Sequence, residues 1–280
     1  MLPHYIAEKV EFIEKRKKRI DGWARTDNGW VQVETPPKAV TLIEKGEGSL
    51  SGCLRNLKIL HAEIADYVWF AEQDLSTFKL HSYVISRLMY IIAETDGSDF
   101  IHEATWFYPL LSDHEPMIRY WIDWMLHKTP DSKLCMQRVV NPNQNEYRYY
   151  QVTLALAGQW NTLGRKAEVF LQALPAKMKK YAPDMRFYLA LAQKDKAGME
   201  NALDELTSPK VAKIRNQVFE LPVAERFVSP FACVYAKVAS RWGFALDVDT
   251  VLIPQEWLPV SPLPSYPDPY AFMRKWEIES

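Results

Sequence analysis

The chain has 280 residues, 48% hydrophobic and 25% charged, and its 34 Lys and Arg residues almost balance its 35 Asp and Glu residues. The formal net charge of -1 lacks the basic excess that is typical of nucleic-acid binders, so direct binding to nucleic acid is not expected. A composition of this kind can fill a large hydrophobic core in a soluble globular protein.

Cysteine use and hydropathy indicate the compartment. Cys53, Cys135 and Cys233 lie too far apart in the sequence to form a zinc or redox motif, which favours reduced, buried thiols. Residues 1–21 lack the apolar core of a signal peptide, and no other run approaches the roughly 18 apolar residues of a membrane span. The sequence therefore predicts a cytoplasmic protein that does not bind membranes.

The first 50 residues divide into a helix and a loop. Residues 3–20 have the charged and apolar pattern of an amphipathic helix, with a basic cluster at residues 15–19. Residues 21–50 are rich in Gly and Pro, and they contain one short alternating run from Trp30 to Val33. We expect a loop region here with at most one small strand.

Apolar residues recur at helical spacing in the next part of the chain. The spacing predicts helices over residues 54–68 and 78–92, with a polar break between them. A further helix is expected over residues 100–111. Pro116 then favours the first turn of another helix, where its missing N–H group is not needed.

A five-residue phrase occurs twice. Residues 154–158 read Leu-Ala-Leu-Ala-Gly, and 35 positions later residues 189–193 read Leu-Ala-Leu-Ala-Gln. Each copy leads through a polar turn into a second apolar stripe, which predicts two tandem helical hairpins within residues 147–206. A period near 35 is typical of tetratricopeptide-like repeats, whose hairpins stack to bury their apolar faces. The signature residues of that repeat are out of register, so a chance echo of the phrase stays open as the alternative.

The C-terminal part changes character after a last helix. Residues 231–242 form a compact apolar helix, which Gly243 can close in a left-handed turn. Prolines recur between residues 254 and 269 and exclude continuous helix, so residues 246–280 are expected to run extended as a strap. The strap carries three aromatic residues as its expected anchors: Trp257, Tyr266 and Tyr270.

Together these elements predict an all-α protein of stacked antiparallel helical hairpins, tetratricopeptide-like or bundle-like, with an extended proline-rich C-terminal tail. No low-complexity linker divides the chain, so residues 1–280 are expected to form a single α-helical domain. Its parts are an N-terminal helix and loop (1–50), a helical body (51–245) and the C-terminal strap (246–280).

Common catalytic motifs are absent from the sequence, which contains no nucleophile elbow, Walker loop, dinucleotide fingerprint or H-E-x-x-H pair. Asp99 and His102 form one carboxylate-x-x-histidine pair, but a metal site in a helical bundle requires a second pair of this kind. A helix cap at Asp99 is the simpler interpretation. We therefore expect no metal, no cofactor and no enzymatic activity.

Charge is distributed unevenly along the chain. No Lys or Arg occurs between Arg87 and Arg119, whereas residues 128–186 contain ten Lys and Arg against four Asp and Glu. If the acidic helices share one face, that face attracts a basic partner; if the two halves pack together, their charges cancel.

Partner contact is predicted for six residues of this cation-free part: Glu94, Asp96, Asp99, Glu103, Trp106 and Tyr108. The four carboxylates are the charged elements, and Trp106 and Tyr108 are the aromatic anchors, because Trp and Tyr are frequent at the centres of interfaces. A core position for Trp106 is the alternative.

Several features resemble the immunity protein 49 family. They are the helical hairpin from Ala62 to Ile92, the hairpins around Leu154 and Leu189, and the closing run from Ser229 to Leu258, which includes Asp247-Val-Asp249 and Ile253-Pro254. The resemblance spans about residues 50–260. It implies an all-α cytosolic antitoxin of a polymorphic toxin system, which binds and neutralises one cognate toxin, often a nuclease, and catalyses no reaction.

Two functions stay open at this point. The first is an immunity protein whose acidic surface meets the basic surface of a toxin. The second is a helical-repeat scaffold or regulatory adaptor that holds a peptide or protein on the concave side of residues 147–206.

Overall fold

The computed structural model describes residues 8, 11, 23–26, 29–32, 37–96, 103–128, 133–174, 176–216 and 227–278. This part is all-α, as the sequence predicts, apart from one small β-hairpin. The amphipathic helix predicted over residues 3–20 lies outside the described residues, except for residues 8 and 11, which are helical.

Two compact units make up the chain, and each is described by itself. Unit 1 consists of Met1–Ser98, Leu111–Met117 and Ser261–Ser280, and unit 2 of Asp99–Leu110 and Ile118–Val260. The expectation of a single domain over residues 1–280 stays a prediction.

Unit 1 contains a β-hairpin and three helices. They are β1 (Trp23–Thr26), β2 (Gly29–Gln32), α1 (Lys38–Lys45), α2 (Leu50–Glu72) and α3 (Leu75–Asp96). The strands pair antiparallel, with Thr26 opposite Gly29, so the sequence prediction of at most one strand was wrong. The loop prediction was also wrong at α1, which Gly46 closes with a φ of 68°.

Local hydrogen bonds set the limits of the hairpin formed by α2 and α3. The Ser49 hydroxyl accepts from the Gly52 N–H at 3.2 Å and caps α2. Gln73 then takes a left-handed conformation with a φ of 56°. Asp74 accepts from the backbone N–H and the hydroxyl of Thr77 at 2.9 and 2.8 Å, and this starts α3. The break expected between the two helices is thus confirmed.

The core of unit 1 follows the predicted helical spacing. Completely or almost completely buried positions on these two helices are Leu54, Leu57, Ile64, Val68, Phe78, Ile85, Leu88 and Ile91.

The remaining α-helices, some of which contribute residues to unit 1, run from residue 107 to residue 241. They are α4 (Phe107–Ser112), α5 (Glu115–Asp123), α6 (Lys133–Val140), α7 (Asn145–Leu156), α8 (Trp160–Ala173), α9 (Ala182–Gln193), α10 (Lys196–Thr207), α11 (Pro209–Arg215) and α12 (Pro230–Arg241). A 3-10 helix at Glu103–Trp106, a π-helix at Trp124–Lys128 and a 3-10 helix at Ala176–Tyr181 complete the set.

The helix predicted over residues 100–111 is shorter than expected. In its described part, a 3-10 turn precedes α4, and Pro109 lies in the first turn of α4. Proline has no N–H to donate to the fourth preceding carbonyl, so a regular α-helix cannot extend upstream through this position. Pro116 lies in the first turn of α5, as predicted.

Two tandem hairpins, α7 with α8 and α9 with α10, confirm the prediction from the repeated phrase. Each turn has a left-handed residue, Gly158 at φ 68° and Lys194 at φ 58°. Asp195 caps α10 by accepting from the Gly198 N–H at 3.0 Å. Helices α8, α9 and α10 pack on one another in order, as the stacking of hairpins requires.

Apolar stripes of the second helices meet their partners as expected. Fully or nearly fully buried members are Leu163, Ala167, Phe170, Met199, Ala202, Leu203 and Leu206. Leu171 and Leu174, which follow in the same stretch of sequence, are half-buried.

The proline-rich tail follows α12 without regular strand or α-helix in its described residues, 242–278. It contains 3-10 helices at Gln255–Trp257 and Ala271–Lys275. In unit 2 Trp257 is 2% exposed. In unit 1 Tyr270 is buried and the Tyr266 hydroxyl donates to the Ser112 carbonyl at 2.6 Å. The predicted anchors therefore hold this segment, each within its own unit.

Among the described helices, none combines the length and the apolar character needed to cross a bilayer.

Candidate partner-binding surface

Glu94 and Asp96, two of the predicted contact residues, lie exposed at the C-terminal end of α3 in unit 1. Asp96 accepts a hydrogen bond from Arg55 at 2.9 Å within an exposed ion pair. Asp99 lies outside the described residues, and Glu103 is described only as backbone in its 3-10 helix.

Trp106 and Tyr108, the predicted aromatic anchors, lie in the interior of unit 2, where they are 2% and 3% exposed. Trp106 forms one wall of a small cleft together with Arg148 and Tyr235. A partner cannot reach an indole so enclosed unless the unit rearranges. Trp106 therefore occupies a core position, the alternative given in the sequence analysis. In this structure neither Trp106 nor Tyr108 lies on a surface that a partner can contact.

The interior of unit 2 contains a charged cluster that sequence reasoning missed. Arg215 donates to Asp184 at 2.5 Å, and the Tyr235 hydroxyl donates to the same carboxylate. The guanidinium groups of Arg148 and Arg215 lie 3.5 and 4.5 Å from the centroid of the Tyr181 ring. Burial, reinforced by the nearby charge of Asp184, raises the pKa of Tyr235 well above its ordinary value.

This cluster connects α7, α9, α11 and α12, which carry Arg148, Asp184, Arg215 and Tyr235 respectively. In the sequence these charged and aromatic residues are far apart, and their spacing follows no known motif. The sequence therefore does not predict that they are in contact. Because buried ions must be paired or stacked on aromatic rings, the cluster fixes how the hairpins meet α12.

A second buried polar cluster lies in unit 1. His61 and His81 approach each other with their Nδ1 atoms 2.7 Å apart, and His61 Nε2 lies 2.8 Å from the Tyr270 hydroxyl. Burial lowers the pKa of His81 to about 3, although the charge of Asp74 acts in the opposite direction. Burial and the neighbouring His81 lower the pKa of His61 well below 6.5. Both rings are therefore neutral in the folded unit near neutral pH.

Two ion pairs of unit 1 are also removed from water. Lys79 donates to Asp113 at 2.7 Å, and both side chains are almost completely buried. Arg87 forms two hydrogen bonds to Asp268, at 3.0 and 3.2 Å, and also donates to the carbonyl of Trp276. The contacts of Arg87 hold the C-terminal segment against α3.

No group of three or more metal-ligating side chains occurs in the part of the chain that the structure describes. Burial raises the pKa of the Cys233 thiol far above its ordinary value, which opposes formation of a thiolate at this position.

An aromatic pair of one exposed and one half-buried tryptophan lies where α12 ends beside the turn of the first hairpin. Trp242 is 43% exposed, and its indole N–H donates to the Ala155 carbonyl at the end of α7, at 3.0 Å. Trp160 meets it edge to face, with ring centroids 4.7 Å apart. A Cβ atom at Gly158 would lie 3.4 Å from the Trp242 ring, so the turn and the indole are in close contact.

Two carboxylates follow this pair in the chain. Asp247 and Asp249 are exposed, while Val248 between them is 8% exposed, so the two acidic side chains flank one buried anchor. The Asp247 N–H donates to Glu200 of α10 at 2.7 Å and fixes the backbone. We call Trp160 and Trp242 the tryptophan surface.

Sequence reasoning placed Trp242 only as the last residue of an apolar helix. Asp247 and Asp249 entered only through the resemblance. Both tryptophans lie close to a turn glycine in the sequence, Trp160 after Gly158 and Trp242 before Gly243. This position could have indicated partial exposure, because aromatic residues at helix ends are often partly exposed.

The described fold defines a class: an all-α protein built from stacked helical hairpins. A family model described as Immunity protein 49 matches residues 136–257, and the predicted resemblance is thereby confirmed. Over these residues the chain is similar to that family, and the match covers less than half of the chain. Neither the curated proteins nor the solved structures contain a match to the chain. The matched segment contains both tandem hairpins, α12 and the tryptophan surface.

Proposed function

We propose that the protein is an immunity protein, which binds a cognate toxin of a bacterial polymorphic toxin system in the cytoplasm and neutralises it without catalysing a reaction. The observation that carries this proposal is the family match over residues 136–257. It coincides with the part of the chain in which the hairpins and the exposed Trp242 lie.

The interior of unit 2 supports a role in tight binding. Asp184 and Arg215 are completely buried and paired, and the helices that carry them meet in one fixed arrangement. A binder whose surface is already ordered loses little conformational entropy when it meets its partner. Such a scaffold is suited to blocking a toxin by occupancy alone.

Acidic surface groups in both units support a toxin with a basic surface, such as a nuclease. Glu94 and Asp96 are exposed in unit 1, and Asp247 and Asp249 are exposed in unit 2. Complementary charge speeds association and disfavours wrong partners. We therefore retain the predicted carboxylates as charged elements of the contact, without Trp106 and Tyr108.

Co-expression tests the proposal. The gene immediately upstream should encode the toxin, and cells that produce its toxic domain should survive only when this protein is also produced. Phe170→Asp, which places a charge in a completely buried position, should abolish protection and serves as the control for folding. Absence of both protection and a stable complex with the wild-type protein would refute the proposal.

The mode of neutralisation has its own measurement. Toxin released from the complex by denaturant and refolded should have an unchanged intact mass and recovered activity, because binding alone blocks it. A covalent change in the toxin would instead show that the protein is an enzyme. A complex that forms without protecting cells would favour the scaffold or adaptor function.

A further inference from the structure

We propose that residues 261–278, the part of the tail that belongs to unit 1, form a proton-sensitive cover of α3, which opens as the pH falls below about 6.5 while α2 and α3 stay folded. We call these residues the unit 1 tail. The inference goes beyond the proposed function, because it concerns a movement within unit 1 and requires no toxin.

The unit 1 tail is held mainly by side chains of α3 rather than by regular secondary structure. Lys79 donates to the Ser261 carbonyl at 2.6 Å. Two turns further along α3, Arg87 donates to the Met273 carbonyl at 3.1 Å. The regular structure within residues 261–278 is one short 3-10 helix, Ala271–Lys275. A segment attached in this way can open locally without breaking the backbone hydrogen bonds of the helices beneath it.

Two tyrosines of the unit 1 tail lie against histidines. The Tyr270 hydroxyl lies 2.8 Å from His61 Nε2, and His61 shares a hydrogen bond with His81, with 2.7 Å between the Nδ1 atoms. The ring of Tyr266 meets the ring of His114 edge to face, with centroids 4.7 Å apart. We call these five residues the Tyr-His cluster.

The contacts of the Tyr-His cluster favour neutral imidazoles. A hydrogen bond between two Nδ1 atoms holds a single proton, so His61 and His81 cannot both become imidazolium without breaking it. His114 Nδ1 accepts from the Met117 N–H at 3.2 Å in the first turn of α5, and protonation of this atom would remove that bond. A positive charge is also unfavourable at the N-terminal end of a helix. The closed cluster therefore excludes protons that the open cluster can bind.

Burial is the main cause that lowers the pKa of all three imidazoles, to about 3 for His81. Nearby charges add smaller effects: Asp74 opposes the shift at His81, while at His114 Arg87 acts with it and two carboxylates oppose it. Carboxylates ordinarily titrate near about pH 4, so histidines should dominate a change measured between about pH 5 and about pH 7. On α2, α3, residues 111–117 and the tail, the charged groups that are buried or half-buried are Lys58, Glu63, Asp66, Asp74, Lys79, Arg87, Asp113, Glu115 and Asp268.

The direction of the pH effect follows from these lowered pKa values. The closed form is stabilised above about pH 6.5, and this stabilisation is lost as the pH falls. A histidine whose pKa is about 3 in the closed form and about 6.5 in the open form raises the equilibrium constant for opening by about 25-fold between about pH 7 and about pH 5. His61 and His114 act in the same direction. At neutral pH the buried side chains of Phe272 and Met273 keep the cover closed.

Hydrogen exchange of the full chain, read by NMR at about pH 7 and about pH 5 and corrected for the intrinsic exchange rate, tests the cover. The amides of Met273 and Trp276 report on the unit 1 tail, because both donate within its 3-10 helix region. The amides of Ile64 and Leu88, which are completely buried in α2 and α3, report on the helices.

We expect the protection factors of the two tail amides to fall by about 25-fold or more between the two pH values. At both pH values the helix amides should stay at least about 100-fold more protected than the tail amides, because the tail opens by itself. Tail amides as protected as the helix amides would overturn the inference, since the tail would then open only when unit 1 unfolds. Tail protection that changes by less than about 3-fold would also overturn it, because a proton-linked opening requires a larger change.

Three variants assign the effect to the Tyr-His cluster. His81→Gln should reduce the acid-induced fall in tail protection by roughly 10-fold or more, and His114→Gln should reduce it as well, because each removes one titrating ring. His127→Gln is the same substitution in unit 2 and should leave the fall in tail protection unchanged. If His81→Gln does not fold, His114→Gln still decides, since His114 is only half-buried. A fall as large in the folded Gln variants of the cluster as in the wild type would refute the inference.

Discussion

Trp106 shows how the surroundings of a single side chain decide between packing and recognition. The residue is 2% exposed, and its indole Nε1 has no hydrogen-bond partner among the described residues. Trp106→Ala should lower the free energy of unfolding by about 3–5 kcal/mol, because it leaves a large cavity. Trp106→Phe should cost about 1–2 kcal/mol, since the aromatic packing is mostly kept and a buried N–H is removed.

Urea denaturation gives the free energy of unfolding of both Trp106 variants. Affinity for the proposed toxin partner is measured on Trp106→Phe. We expect unchanged affinity, as for a residue that stabilises the unit without touching the partner. A Trp106→Ala protein as stable as the wild type but unable to bind would restore the contact role.

The paired histidines of unit 1 predict acid sensitivity. The pKa values of His61 and His81 both lie below 6.5 in the folded chain. Between these pKa values and about pH 6.5, the two imidazoles are therefore protonated in the unfolded chain and neutral in the folded chain. The free energy of unfolding is therefore highest above about pH 6.5 with respect to these two groups. Below that pH it falls by about 1.4 kcal/mol per pH unit for each histidine. His81→Gln should reduce this slope.

Urea denaturation at about pH 7 and about pH 5 checks the slope. His127→Gln is measured in parallel as the same substitution outside the buried cluster, because the side chain of His127 is 69% exposed. An identical slope in wild type and His81→Gln would show that the buried pair does not govern acid stability.

At the scale of elements, the second hairpin depends on a glycine. A Cβ atom at Gly198 would lie 2.5 Å from the Asp195 carboxylate and 2.9 Å from the Ala190 Cβ. Gly198→Ala should therefore lower the free energy of unfolding by about 1–3 kcal/mol, which outweighs the roughly 1 kcal/mol gained in helix propensity.

Gly164→Ala in α8 provides the comparison for Gly198→Ala in thermal and urea denaturation. Its Cβ would lie 3.4 Å from Ala192, close to an ordinary contact, so we expect a change near zero or a slight stabilisation. Equal effects of the two substitutions would contradict the close packing of Gly198.

The long helices could be predicted because their periodicity is local. The buried apolar residues around Leu57, Ile85 and Leu203 lie where helical spacing predicts them. In each helix, the spacing of apolar residues along the sequence shows which face is buried. The strands at 23–26 and 29–32 were predicted incompletely, because four residues carry too little pattern to distinguish a strand from a loop.

The partner surface was harder to predict because it depends on contacts distant in sequence. Trp106 and Trp242 are both tryptophans in or beside short helical segments, yet one is 2% and the other 43% exposed. The difference comes from neighbours such as Arg148 and Ala155, and a sequence pattern does not reveal such contacts.

At the scale of the whole molecule, buried ion pairs rather than exposed ones should set the stability of unit 1. Asp268→Asn leaves Arg87, which is 4% exposed, without its charged partner and should cost about 3 kcal/mol or more. Asp96→Asn breaks an exposed pair with Arg55 and should cost at most about 1 kcal/mol.

Denaturation curves for these two variants make the comparison direct, since each removes one negative charge from an Arg–Asp pair of the same unit. Similar losses of stability would show that burial of Arg87 is not the deciding factor. The Asp96 variant also tests the predicted contact, because it should associate with the proposed toxin partner more slowly while it remains folded.

The division of unit 1 between distant parts of the chain has a consequence for biosynthesis. Arg87 and Asp268 are 181 residues apart, so at about 5–20 residues per second the ribosome adds the carboxylate roughly 10–40 s after the guanidinium. Throughout that interval α2 and α3 lack their C-terminal cover, whereas unit 2 ends at Val260 and can close before the last residues emerge. All residues of the tryptophan surface are therefore synthesised before Asp268, which completes the buried ion pair of Arg87 in unit 1.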